Sequence, residues 1–329
     1  MNFSLTHHTK KIGAAVVPWI RALPLFLQLS VAGGAFGQAA PAPCSDVLPD
    51  LTHWLAGRTR GEHRAAKVSG TNLAAFLHQE RPDIYGRSAR FPMDAASLSR
   101  YLAELPPYLP AMRTLERRCL TQEPKVVEAL RRLFPDFDPS RVRVSLMLSL
   151  FRFDAKIPYD QPNELWLGLD GIAKFHRPNF QLGVLLAHEN FHLYHFQVNP
   201  QPHRGESVPL YRQIWQEGLA CYMSHLLNPG ASMADVLLEP DLAANGPRYV
   251  PAVARALLND LEADDDSVTA RYLSYHPAAA GAMPSRMGYL IGYDVAAACA
   301  ARMPPAELVR LRGNALRQVV QHEVRTLAR

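Results

Sequence analysis

The chain has 329 residues, enough to bury a substantial core as one large domain or two smaller ones, and its 48% apolar share excludes a disordered protein. Of its 35 basic residues three fall before residue 40, where there is no Asp or Glu. The remainder therefore sets 32 basic against 30 acidic side chains, a formal charge of +2. That leaves no basic excess for a nucleic acid to read.

Residues 1–39 have the three-part plan of a secretory signal peptide. Lys10, Lys11 and Arg21 precede an apolar run over 22–32, and Gly33, Gly34, Ala35, Gly37 and Ala39 supply small residues for cleavage after Gly37 or Ala39. The run is shorter than the ~20 residues a spanning helix needs, and Pro24 interrupts it. The expectation is export, to a periplasm or outside the cell, with no stable membrane insertion once the segment is removed. Four cysteines, Cys44, Cys119, Cys221 and Cys299, permit one or two disulfides there, or buried free thiols.

Beyond residue 40 an N-terminal region to about 140 reads as helices broken by proline, over 47–56, 94–105, 108–120 and 123–133, without recognisable chemistry. At 142–150 the period changes to two. Val142, Val144, Leu146, Leu148 and Leu150 alternate with mostly polar residues, which predicts a half-buried strand. A second, more apolar strand is expected at 164–169, followed by a turn at Asp170-Gly171. Helices are predicted over 182–196, 208–227, 249–262, 285–302, 305–311 and 315–327, with a solvated loop at 263–266. The predicted class is α+β, predominantly helical, with a small sheet ahead of the helix at 182–196.

That helix carries His188-Glu189-Asn190-Phe191-His192, a complete H-E-x-x-H. Imidazoles four residues apart share a helix face, so both can hold one Zn²⁺ while the intervening Glu reaches its bound water. The flanks are apolar nearly all round, which places the helix in an interior where buried His and Glu need partners.

A catalytic zinc usually takes three protein ligands and keeps one position open. A metzincin would need Gly at 195 and His at 198, where this chain has His195 and Val198. Glu217 is the candidate third ligand. It follows His192 after 24 residues, on the next predicted helix and among Ile214, Trp215, Leu219 and Tyr222. Gly218 and Ala220 would let the two helices approach closely. His203 and His225 are alternatives whose surroundings give no support.

With His188, Glu189 and His192 followed by Trp215, Glu217, Gly218, Ala220 and Tyr222, the chain resembles the gluzincins of the thermolysin-like clan. In particular it is similar to families of zinc-dependent proteases that pair H-E-x-x-H with W-x-x-E-G-x-A-x-Y. Gly288-Tyr289-Leu290-Ile291-Gly292-Tyr293 is similar to a G-Y-x-x-G-Y segment of one such family. The resemblance implies a zincin-like metallopeptidase domain over 141–329, one catalytic Zn²⁺ and a peptide or protein substrate. It departs from thermolysin, where an Asp four residues after the ligand Glu orients a ligand His; Cys221 stands there instead.

In the implied mechanism His188, His192 and Glu217 hold Zn²⁺ and Glu189 acts as general base. Tyr289 or Tyr293 stabilises the oxyanion by resemblance, with His276 and Tyr222 behind them. His195 reads more as a packing residue than as a substrate contact. Either 142–150 or 164–169 would be the edge strand pairing with substrate, with Asn163 and Asp170 flanking the cleft. Two other functions share the zinc site: an envelope scaffold that has lost catalysis, and a hydrolase of a non-protein amide such as a cell-wall crosslink.

Overall fold

The computed structural model describes residues 44–59, 69–86, 91, 93–176, 179–200, 206–276 and 283–329; the signal-peptide segment and His203 lie outside them. The helices are α1 (Leu48–Thr59), α2 (Gly70–Glu80), α3 (Pro82–Tyr85), α4 (Ala95–Glu104), α5 (Leu109–Leu133), α6 (Leu169–Phe175), α7 (Leu182–Val198) and α8 (Leu210–Leu227). They continue with α9 (Met233–Val236), α10 (Pro240–Asn245), α11 (Val250–Asp260), α12 (Asp266–Leu273), α13 (Met287–Ala300), α14 (Pro305–Leu308) and α15 (Gly313–Leu327). The strands are β1 (Cys44–Asp46), β2 (Arg143–Met147), β3 (Ala155–Lys156) and β4 (Glu164–Gly168). The protein is thus mostly helical with one small sheet, and no described helix is long and apolar enough to cross a membrane.

The sheet runs β1-β2-β4-β3. The first three strands are parallel, with Cys44 opposite Val144 and Val144 opposite Leu165, and β3 is antiparallel to β4, with Ala155 opposite Leu167. Both strands read from the sequence are therefore interior, and the edges are β1 and β3, too short to leave a periodic signal. Residues 39–329 form one compact unit. Its core cluster runs from Val47 to Val324, so the expected division at 140 is not a boundary: β1 extends the sheet and α5 packs on α7.

Several expected elements differ for local reasons. The pair at 108–120 and 123–133 is the single helix α5 with Pro124 inside it. Proline there removes the bond to the residue-120 carbonyl, and Leu120 lies at the surface. The Asp run at 263–266 is a helix start as well as a loop, because the Asp265 carboxylate accepts from Ser267 N at 2.7 Å and Val268 N at 3.3 Å and caps α12.

The strand expected to reach Leu150 ends at Met147, and Leu150 and Phe151 both turn to φ 57°. Asp170 holds this turn from within α6, accepting from Ser149 N at 2.6 Å, Ser149 Oγ at 3.1 Å and Phe151 N at 2.8 Å. Asp170 is fully buried and inside a helix, so it neither forms a turn nor flanks a cleft. Gly171 is required beside it, since a Cβ there would stand 1.8 Å from the Phe153 carbonyl oxygen. Cys119, Cys221 and Cys299 are buried and form no disulfide among the described residues.

Gly218 serves a contact other than the expected one with α7. A Cβ on it would lie 2.0 Å from the Gly292 carbonyl carbon, and one on Gly292 would lie 2.4 Å from the Ile214 carbonyl oxygen. The backbones of α8 and α13 thus cross through these two glycines. Gly292→Ala should lower the free energy of unfolding by about 1–3 kcal/mol or more, because the helices must part. Gly230→Ala, with nothing within 4 Å of the new atom, should change it by less than about 1 kcal/mol. Urea unfolding of both variants measures the difference.

Candidate metal centre

Helix α7 is apolar on every side because it is buried on every side: Val184, Leu185, Leu186, Ala187, Phe191, Leu193 and Tyr194 are all nearly inaccessible. It packs against α5 and α8. His188 and His192 lie one turn apart and meet Glu217 of α8. Among the described residues these three are the one group of three metal-ligating side chains so placed, and they can hold a metal ion.

Their donor atoms form a triangle. His188 Nε2 and His192 Nε2 are 3.0 Å apart, and Glu217 Oε2 lies 3.4 Å from the first and 3.5 Å from the second. Donors about 2.0–2.1 Å from one tetrahedral centre stand about 3.3–3.4 Å from one another, so the triangle fits a bound ion. Hydrogen bonds alone fit it less well. One proton shared by the two imidazoles leaves the accepting nitrogen facing the Glu217 carboxylate lone pair to lone pair, whereas a cation at the centre turns all three contacts into attractions.

Burial lowers the His188 pKa, while His192 is raised overall because Glu217 outweighs its desolvation. Burial opposes ionisation of Glu217 as well, yet His192 and His188 hold its carboxyl well below the usual range. Glu189, half-buried beside them, is pushed up to about 8 by desolvation. On the far side of His188, Nδ1 meets Cys221 Sγ at 3.8 Å, so the thiol stands where an orienting acceptor is expected. Among the described residues His192 Nδ1 has no hydrogen-bond partner.

A cavity of about 960 Å³ opens onto the triangle and is lined by His188, Glu189, His192, Glu217 and Tyr289, among others. One wall is Asp154-Ala155-Lys156, so β3 is the edge strand beside the site, in place of 142–150 or 164–169. Asn163 does not line the cavity; its carbonyl accepts from Arg143 N at 2.9 Å.

Of the two tyrosines, only Tyr289 lies here, its ring stacked 6.4 Å from that of His188. Tyr293, one turn later, is outside the lining and engages His225 Nδ1 through its hydroxyl at 2.7 Å. Tyr222 packs on Tyr293 with ring centroids 6.1 Å apart. His276 is exposed and not part of the lining. His195 is a packing residue, stacked 5.5 Å from Phe191 and lowered to about 3 by burial.

Three lining residues carried no motif. Asp154 Oδ2 meets His176 Nε2 at 2.8 Å, and His176 stacks 4.6 Å from Phe180. Arg286 lies with its guanidinium carbon 3.9 Å from the centre of the Tyr289 ring. Its backbone is left-handed, with φ 60°, a feature no residue pattern announces. Compared with known protein families, curated proteins and solved structures, the chain matches none.

The protein purified without chelator should carry about one divalent ion per chain. Glu189→Gln should keep it, and His188→Ala and Glu217→Ala should lose most of it, as read by plasma mass spectrometry. Chelation should also lower the unfolding midpoint by several degrees, since an ion at about 100 times its Kd contributes about 2.7 kcal/mol.

Proposed function

We propose that the protein is an exported zinc-dependent metallopeptidase of gluzincin type. The observation that carries this is the triangle of His188, His192 and Glu217 opening on a cavity that also holds Glu189. Two imidazole nitrogens and one carboxylate oxygen, with a side left open, are the donor set of a catalytic zinc site. Bound there, zinc supplies Lewis acidity to a substrate carbonyl and acidity to a water molecule.

The chain's own groups do the rest. Glu189 is the general base: it takes the water's proton and returns it to the leaving amine. Burial pushes its carboxyl up to about 8, and a neighbouring dication favours the ionised form that a base requires. Burial also raises the Tyr289 phenol, so it stays protonated and able to donate to the developing oxyanion. Tyr293, committed to His225, takes no part.

The outer edge of β3, which lines the cavity, supports binding of an extended peptide by strand addition. The signal-peptide pattern at 1–39 supports export to the periplasm or beyond.

The test is cleavage of a mixed peptide library by zinc-loaded protein, read by mass spectrometry. Glu189→Gln should lower kcat by about 10²–10⁴ with zinc content unchanged. Tyr289→Phe should lower kcat by about 10²–10³ with KM nearly constant. Zinc-loaded wild-type protein that cleaves nothing in the library, or a Glu189→Gln variant as active as wild type, would overturn the reading.

A further inference from the structure

Arg286 lines the cavity, and Asp154 and Glu189 are carboxylates whose charge reaches it. Among the described residues it makes no ion pair, and its direct partner is Tyr289, on whose ring the guanidinium lies at 3.9 Å. Of the carboxylates around it, Asp154 meets His176 at 2.8 Å and Glu217 the two histidines at 3.4 and 3.5 Å, while Glu189 is the general base of the proposed reaction. Of the other cations of the lining, Lys174 pairs with Glu104 at 2.6 Å, and Lys156 lies over Phe153 with its ammonium 5.8 Å from the ring centre. A guanidinium drawn off the surface and left unpaired is costly unless something that enters the cavity pairs with it.

The fold goes to some length to put it there. Arg286 occupies the left-handed region at the start of α13, a conformation that residues other than glycine rarely adopt and that persists where surrounding structure imposes it. Such positions concentrate at functional sites.

We propose that Arg286 anchors a carboxylate-binding subsite, so that the cavity takes peptides whose free C-terminal carboxylate lies one residue beyond the bond to be cut. This rests on the metallopeptidase reading and deepens it to carboxypeptidase-type action. The planar fork of a guanidinium matches a carboxylate through two parallel hydrogen bonds, whereas a developing oxyanion presents one oxygen, for which Tyr289 is already in place. Tyr289 contacts both groups, its ring centre 3.9 Å from the Arg286 guanidinium carbon and 6.4 Å from the ring centre of His188, so the guanidinium and the metal-ligating residues share one neighbour.

The other part of such a substrate meets aromatic surface. Tyr275, Phe175 and Tyr159, exposed at 69%, 49% and 46%, are among the large apolar side chains left most open to solvent, and all three line this cavity. An apolar residue ahead of the scissile bond has contacts waiting there.

The test is calorimetric titration of zinc-loaded Glu189→Gln protein, which cannot turn over the probe. The probes are an N-acetylated dipeptide of apolar residues with a free carboxylate and the same dipeptide as its C-terminal carboxamide. The acid should bind at least about tenfold tighter. Adding Arg286→Gln should bring the acid down to the level of the amide, with amide binding and zinc content unchanged, and Arg286→Lys should restore part of the preference. Equal binding of acid and amide, no binding of either, a preference that survives Arg286→Gln because zinc holds the carboxylate, or equal weakening of both probes would each overturn the proposal. Zinc content of the wild-type protein reports separately on the metallopeptidase reading, and the same titration on metal-free protein still reads the Arg286 preference if that reading fails.

Discussion

Two imidazole nitrogens of α7 and a carboxylate oxygen of α8 converge to within 3.5 Å, and a cation at their centre satisfies all three at once. Removing such groups from water is costly, so the surrounding fold has to supply the difference through apolar packing. It does so by burying most of α7 and by passing the backbone of α8 across that of α13 at Gly218 and Gly292. The first contact brings the histidines to Glu217. The second carries Arg286 and Tyr289, at the start of α13, to the same cavity.

A second constraint shapes the opposite wall. Asp170, buried in α6, satisfies the backbone of a turn with two successive left-handed residues, Leu150 and Phe151. Burial raises its pKa, and the hydrogen bonds from Phe151 and Ser149 work against that rise. This turn ends β2 and returns the chain as Phe153-Asp154-Ala155, the edge that faces the metal-ligating residues. Asp154 and His176 are thereby brought into one hydrogen bond from positions 22 residues apart. Strain in the backbone and close approach at Gly171 thus accompany the placement of an edge that lines the cavity.

Cys221 illustrates how a departure in sequence becomes a structural feature. Four residues after Glu217 on the same helix, it shares that residue's face and reaches His188 Nδ1 at 3.8 Å. A buried thiol is a weaker hydrogen-bond partner than a carboxylate and carries no charge when burial raises its pKa. His188 is therefore oriented without an added negative charge next to the cluster.

His188, Glu189 and His192 were legible in the sequence because a helix of period 3.6 turns a spacing of four into a shared face, and the apolar flanks announced burial. Glu217 was legible for a related reason: a carboxylate surrounded by Ile214, Trp215 and Leu219 needs a partner inside. The helical character and the two inner strands followed from periodicity over enough residues to register. What lay beyond sequence was everything set by contacts between distant segments. Edge strands of two and three residues are too short to show a period, and the choice between Tyr289 and Tyr293 depended on which face of α13 met α8. The Asp154–His176 pair depended on a strained turn, and Arg286 on a single backbone dihedral. Local periodicity determined which residues can act together along one helix. Only the packing of helices and sheet, which no spacing encodes, decided what stands opposite them.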